Sequence, residues 1–146
     1  VNSGATTTQG TYTYGAIFPS QLVSFSNALT SGAVVLSAGP AASTANTGTS
    51  LGVSLIGLAL NQWGWFQVSG VAVAQISAGT PAAGNPVYIG TAGNVTPTAA
   101  AGKQVINAQF ASAVSQTLGS GSAATTLTAT QALVLINNPA TQTQIT

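Results

Sequence analysis

The chain has 146 residues, enough to bury a real core as one domain, yet it carries one lysine and no arginine, aspartate, glutamate, histidine or cysteine. Ordinary soluble domains are about a quarter charged; here Ser, Thr, Asn and Gln make up more than a third of the residues, so contact with water rests on neutral hydroxyls and amides. General acid–base catalysis draws on His, Asp, Glu, Lys, Cys or Tyr, of which only Lys103 and three tyrosines are present, so no enzyme is expected. Paired-carboxylate hydrolysis and a Ser-His-Asp triad have no residues to build them. Zinc and transition-metal sites lack their ligands, and a calcium site would have only carbonyls and amides. No cofactor and no metal are expected.

The same composition argues against nucleic acid as a partner, since one lysine supplies at most one phosphate contact. Trp63, Trp65 and Phe66 could stack on bases, but no positive groove would hold the backbone, and an aromatic core or subunit contact is the simpler reading. A membrane partner is not expected either. The longest strongly apolar run, Val53–Leu60, is interrupted by Ser54 and Gly57 and falls far short of the roughly 20 residues of a span. No basic segment precedes an apolar run, so no signal peptide is expected. Removal of an initiator methionine would account for Val1.

In chain order, residues 1–10 are small and polar and form an arm with no core of its own. Thr11–Tyr14 alternates polar and aromatic residues, which predicts a short strand with both tyrosines on one face. Leu22–Phe25 and Gly32–Ser37 read as further short strands, followed by a surface or contact loop over Gly39–Ser50. Leu51–Leu60 is apolar on both faces and fits a buried strand or a short helix. Along Gly64–Ala74 the apolar phase switches at Gly70, which predicts a bulge or sharp bend of the kind found at barrel corners. Ser77–Pro86 crosses over. Val87–Ile89 and Val95–Thr96 form a hairpin about the turn residues 91–94. Lys103 is expected in a solvated turn. Val105–Val114 is another apolar run, Leu118–Thr130 a mobile loop, and Gln131–Ile136 the last strand before a polar tail broken by Pro139.

Helix formers other than alanine are scarce, while Val, Thr, Ile, Gly and Asn abound. The expected fold is therefore all-β: a small antiparallel β-barrel or sandwich with extended polar N- and C-terminal arms. The expected division is an N-terminal arm with short strands over 1–50, a barrel core over 51–136 and a tail over 137–146. The lone sequon at Asn94-Val95-Thr96 is read as chance.

Three segments carry a resemblance: WGWFQVSGVAVA (63–74), AGNPVYIGTAGNVTP (83–97) and GKQVINAQFASA (102–113). Together they resemble the β-barrel core of the head decoration, or cement, proteins of tailed bacteriophages. The pattern departs at Asn107, where a glycine is expected, and at Asn85, where an acidic residue is common. The resemblance covers roughly a third of the chain. It implies a virion structural protein on the outer surface of a capsid, with the major capsid protein as partner and a homo-oligomer, a trimer by preference, as the assembled form.

Neutrality leads toward assembly without the resemblance. An uncharged protein lacks the repulsion that keeps copies apart, and its sheet edges lack charged gatekeepers. Uncharged contacts avoid ion desolvation and are little screened by salt. Tyr12, Tyr14, Phe18, Trp63 and Trp65 are the candidate assembly contacts. The first three serve equally well as core residues. Two other classes remain open. A receptor- or glycan-binding module would use Trp63, Trp65 and Tyr88 with Asn and Gln side chains as a sugar platform. A surface-layer or pilus-like subunit would polymerise by itself.

Overall fold

The computed structural model describes residues 20–30, 33–41, 44–59, 62, 64–91 and 93–143. The predicted tyrosine strand at 11–14 lies outside them, as do the ends of both arms. The runs rich in Val, Ile, Leu and Thr become strands, and the Gly, Asn and Ser clusters between them become turns. In chain order the strands are β1 (Leu22–Thr30), β2 (Ala33–Pro40), β3 (Leu51–Ser54), β4 (Phe66–Gln67), β5 (Ser69–Gln75) and β6 (Pro86–Ile89). There follow β7 (Val95–Thr96), β8 (Gln104–Phe110), β9 (Thr117–Leu118), β10 (Thr125–Thr126) and β11 (Gln131–Thr141). A single 3-10 turn, Gly121–Ala123, is the one helical element among the described residues. The fold is all-β and its ladders are antiparallel, as the composition implied.

Two sheets enclose the core. One has the order β2-β1-β3-β4 and the other β5-β11-β8-β6-β7, while β9 and β10 form a separate two-stranded ribbon. The five-stranded sheet curls into a half-barrel, because Ile76, just past β5, bridges Val95 of β7 at the opposite edge. The Ser77 N–H donates to the Val95 carbonyl at 2.9 Å across that closure. Inward positions alternate as a half-buried sheet requires: Ala72 and Ala74 on β5; Ala132, Val134 and Ile136 on β11. They pack with Phe110 of β8, Val87 and Ile89 of β6, and Leu22, Leu51 and Val53 of the other sheet. Phe110 is the largest fully buried side chain.

The chain changes sheets at Val68, two residues before the bend expected at Gly70. β4 pairs with β3 (Val53 opposite Gln67), whereas β5, two residues on, pairs with β11 (Ser69 opposite Asn137). Gly70 has φ +90, a conformation that L side chains rarely adopt, so the position favours glycine, but the register of β5 with β11 runs unbroken through Gly70 opposite Ile136, and the bulge expected there is absent. Gly64 has a different reason: a Cβ there would sit 2.5 Å from a Leu58 methyl, so the buried Leu58 needs its bare backbone.

Four further expectations are revised. The apolar run at 51–60 is a strand only as far as Ser54; the Ser54 hydroxyl donates to the Ile56 carbonyl, Leu55 and Ile56 turn outward, and Leu58 is buried again. β1 and β2 form one long hairpin, paired from Val23 opposite Pro40 to Thr30 opposite Ala33, rather than two short strands. Leu118–Thr130 is not a bare loop, because Thr125 and Thr126 pair back onto Leu118 and Thr117, and Leu127 is buried.

The last strand does not stop at Ile136. It runs to Thr141 through a bulge where the register with β8 shifts between Ile136 and Ala140. Asn138 takes φ +47 there, and Pro139, which has no N–H to give a ladder, is buried in the same irregularity. Thr141, at the end of β11, then holds the 47–49 segment: its hydroxyl lies 2.6 Å from that of Thr47 and accepts from the Thr49 N–H at 2.7 Å. The boundary expected at residue 50 runs through one sheet, since β1 on one side of it pairs with β3 on the other.

Candidate assembly surface

Of the five candidate contacts, only Trp65 falls within the described residues; Tyr12, Tyr14, Phe18 and Trp63 lie outside them. Trp65 is 84% exposed. It immediately precedes β4, whose first rung pairs Phe66 with Ser54. Leu55 and Ile56 leave the ladder at the same end of the sheet, on the other strand of that rung, and are more than half exposed. Large apolar residues turned to solvent at one end of a ladder are a feature that the twofold period of the strand does not produce by itself.

A second exposed apolar group lies on the outer face of the half-barrel. On β5, β11 and β8 the inward residues are core, and the residues between them point out. Val71 stands opposite Leu135, which stands opposite Gln109, and both Val71 and Leu135 are exposed. Ile106, before the bulge, is exposed as well, and Val68 at the sheet-changing corner continues the series. A shallow depression of about 310 Å³ lies among Asn107, Ala108, Gln109, Leu135, Ile136 and Asn137. Its lining mixes amide and aliphatic residues and carries no charge. Such a lining suits an uncharged extended surface and offers nothing to bind a phosphate or a metal.

Asn107 and Asn85 each hold a special local geometry. Asn107 adopts φ +59, a left-handed conformation that glycine takes freely and asparagine tolerates. Asn85 places its side-chain oxygen 2.9 Å from the Ala82 N–H, an acceptor role that an aspartate would fill in the same way. Lys103 is half-buried in the turn before β8, where its N–H donates to the Ala100 carbonyl at 3.1 Å. Tyr88 is half-buried on β6, separated from β5 by β11 and β8, and Trp65 precedes β4 of the other sheet. The two rings therefore do not share a strand or a neighbouring pair of strands. In the sequon, the Thr96 hydroxyl is buried and donates to the Ala78 carbonyl at 3.0 Å.

Trp65 is exposed, and so are Leu55, Ile56, Val71, Ile106 and Leu135, whose exposure the sequence pattern did not indicate. Each sits in a run whose apolar content looked like core. Only the position of the β3 end and the β8 and β11 bulges decides which of those side chains turns out. No protein-family model, curated protein or solved structure matches this chain.

Proposed function

We propose that the protein is a viral structural protein, a decoration or cement protein that binds the outer surface of a phage head and stabilises the capsid lattice through uncharged contacts. The observation that supports this reading is the combination of a composition with a single charged residue and large apolar side chains held outward, Trp65 foremost at 84% exposure. Burying such side chains against a partner gains about 25 cal/mol per Å² of apolar surface. No ion must be desolvated in the process. Amide and hydroxyl groups around the patches can exchange water for partner hydrogen bonds. The resemblance of the 63–74, 83–97 and 102–113 segments supplies the phage head as the surface.

The test is intact-mass analysis of purified virus particles from the source, before and after a wash in 1 M NaCl. The reading expects a 14.2 kDa species in hundreds of copies per particle, retained through the wash. Absence from particles overturns the capsid reading, and release at moderate salt overturns the neutral-contact mechanism. A second reading, glycan binding, is favoured by the exposed indole of Trp65 alone. Binding on a glycan array that is lost in Trp65→Ala would move the function there.

A further inference from the structure

The fold closes its sheet edges with neutral groups, and one long edge is left open. In the five-stranded sheet, the Val68 carbonyl accepts from the Asn138 N–H of β11 at 2.7 Å. Carbonyls alternate along a strand, so those of Ser69 and Val71 face away from β11, toward the edge. Both are occupied, because the Gln67 side-chain amide donates to each at 2.9 Å. Further along the same edge, the Gln75 N–H donates to the Ser20 carbonyl at 2.9 Å. The opposite edge, β7, is covered by Ile76 and Ser77. β4, β9 and β10 are two residues each, too short to template a partner strand.

β2 differs on every count. It is eight residues long, Ala33–Pro40, and among the described residues no strand pairs with its outer side. Its sequence, AVVLSAGP, is uncharged and rich in strand formers, with its proline at the very end. Among the described residues, β1 pairs beyond Ser24 with β2 alone, so Phe25–Thr30 and Ala33–Ala38 form a two-stranded ribbon there. A two-stranded ribbon is only marginally stable in water without further strands.

We propose that β2 is a self-association edge, which pairs antiparallel with β2 of a second copy across a twofold axis. An antiparallel strand edge is complementary to its own rotated copy, so an identical chain meets every requirement without a further partner. The pairing joins two four-stranded sheets into one of eight and gives the ribbon the additional strands it lacks. Residues 1–19 fit the edge less well. They join the chain at Ser20, beside the Pro40 end of β2, so a direct run back along β2 would be parallel, the weaker pairing. A β2–β2 contact is isologous and gives even-numbered assemblies, not the three-fold ring that the resemblance implies. The inference does not depend on the capsid reading.

The test uses the full chain, by sedimentation equilibrium at about 50 µM with far-UV circular dichroism as the folding control. The expected mass is twice 14.2 kDa, or a higher even multiple. Val35→Lys adds a charge to the edge strand of each copy and is expected to weaken self-association by about tenfold or more. Mixing Val35→Lys with Val35→Glu chains is expected to restore it. The chain has no cysteine, so single substitutions Val34→Cys, Val35→Cys, Leu36→Cys and Ser37→Cys each provide one thiol. The residue nearest the axis is expected to give a disulfide-linked dimer on mild oxidation, while Ser120→Cys gives none. A monomeric or three-chain mass for the unmodified protein overturns the proposal. So does an even assembly that survives Val35→Lys and forms no β2 crosslink, since its interface must lie elsewhere.

Discussion

Phe110→Ala isolates the packing of the core from its hydrogen bonding. The Phe110 side chain is fully buried, on β8 opposite Val134. Its N–H donates to the Asn85 carbonyl and its carbonyl accepts from the Gly84 N–H, both at 2.8 Å, and alanine keeps both bonds. What is lost is the ring alone. Burial of an aromatic side chain and the cavity it leaves are together worth about 3–5 kcal/mol. Here the upper part of that range is expected. The nearby core is built from small residues, Ala72, Ala74 and Ala132, whose side chains are too short to move into the space. A loss of about 4 kcal/mol corresponds to a fall in Tm on the order of 15 °C for a chain of this size. Urea unfolding followed by far-UV circular dichroism would measure it, with an unchanged m-value showing that the same surface is exposed. A loss below about 1.5 kcal/mol would refute the packing argument, because it would mean that the ring is not the plug between the two sheets.

Three further predictions are independent of it. Gly70→Ala should cost about 1–3 kcal/mol from backbone strain at φ +90, since the added Cβ itself meets only the Gln67 amide nitrogen at 3.4 Å; a neutral thermal shift would show that the corner relaxes. Trp65→Ala should leave stability within about 0.5 kcal/mol, given the exposure of the ring, while weakening attachment to particles by about tenfold or more; equal attachment would remove Trp65 from the contact. Side chains should contribute almost no pH dependence of stability between about pH 3 and pH 8, because the chain has no Asp, Glu, His or Cys; a melting series across that range showing a fall of more than a few degrees would contradict it.

Much of the fold was legible because strands and turns are local. Val95–Thr96 and Pro86–Ile89 pair about the turn as read, with a left-handed Gly93 in it. The phase switch read at Gly70 falls two residues past the actual change of sheet at Val68, and β5 pairs with β11 through Gly70 without a slip. The misses have one physical cause. The length of a strand is set by its partner, and the partner is distant in sequence. Polar residues such as Ser26, Asn27 and Ser37 hid the hairpin of β1 and β2, which is held by a register no local pattern records. Pro139 read as a stop, but a proline is tolerated where a bulge leaves its missing N–H unneeded. Which large apolar side chains turn outward was not legible from the sequence. Whether Leu135 or Val134 faces out depends on register alone.

Amides do the work that charges do elsewhere in this protein, and the principle can be tested at one atom. Two strand-entering residues, Asn85 and Gln131, share a reciprocal pair of bonds that Gln62 makes as well. The N–H of Gln62, Asn85 and Gln131 donates to the carbonyl three residues back, at 3.2, 3.0 and 3.1 Å. The side-chain oxygen of the same residue accepts from the N–H three residues back, at 2.8, 2.9 and 3.2 Å. Such a box usually favours an acidic acceptor, whose hydrogen bonds are stronger. Asn85→Asp therefore keeps the geometry and adds the only side-chain carboxylate in the molecule. Bonding to the Ala82 N–H stabilises its ionised form in the folded state, so its folded pKa should fall below the unfolded value of about 3.9. The unfolded chain then binds the proton more tightly. The added stability is present above about pH 4 and is lost as pH falls through the folded pKa. A variant with a Tm above that of the parent at pH 7, and the difference abolished at pH 2, is the expected result. A Tm difference that does not change with pH would mean that the turn gains nothing from charge, and the preference for neutral amides here would need a cause other than the turn's own hydrogen bonds.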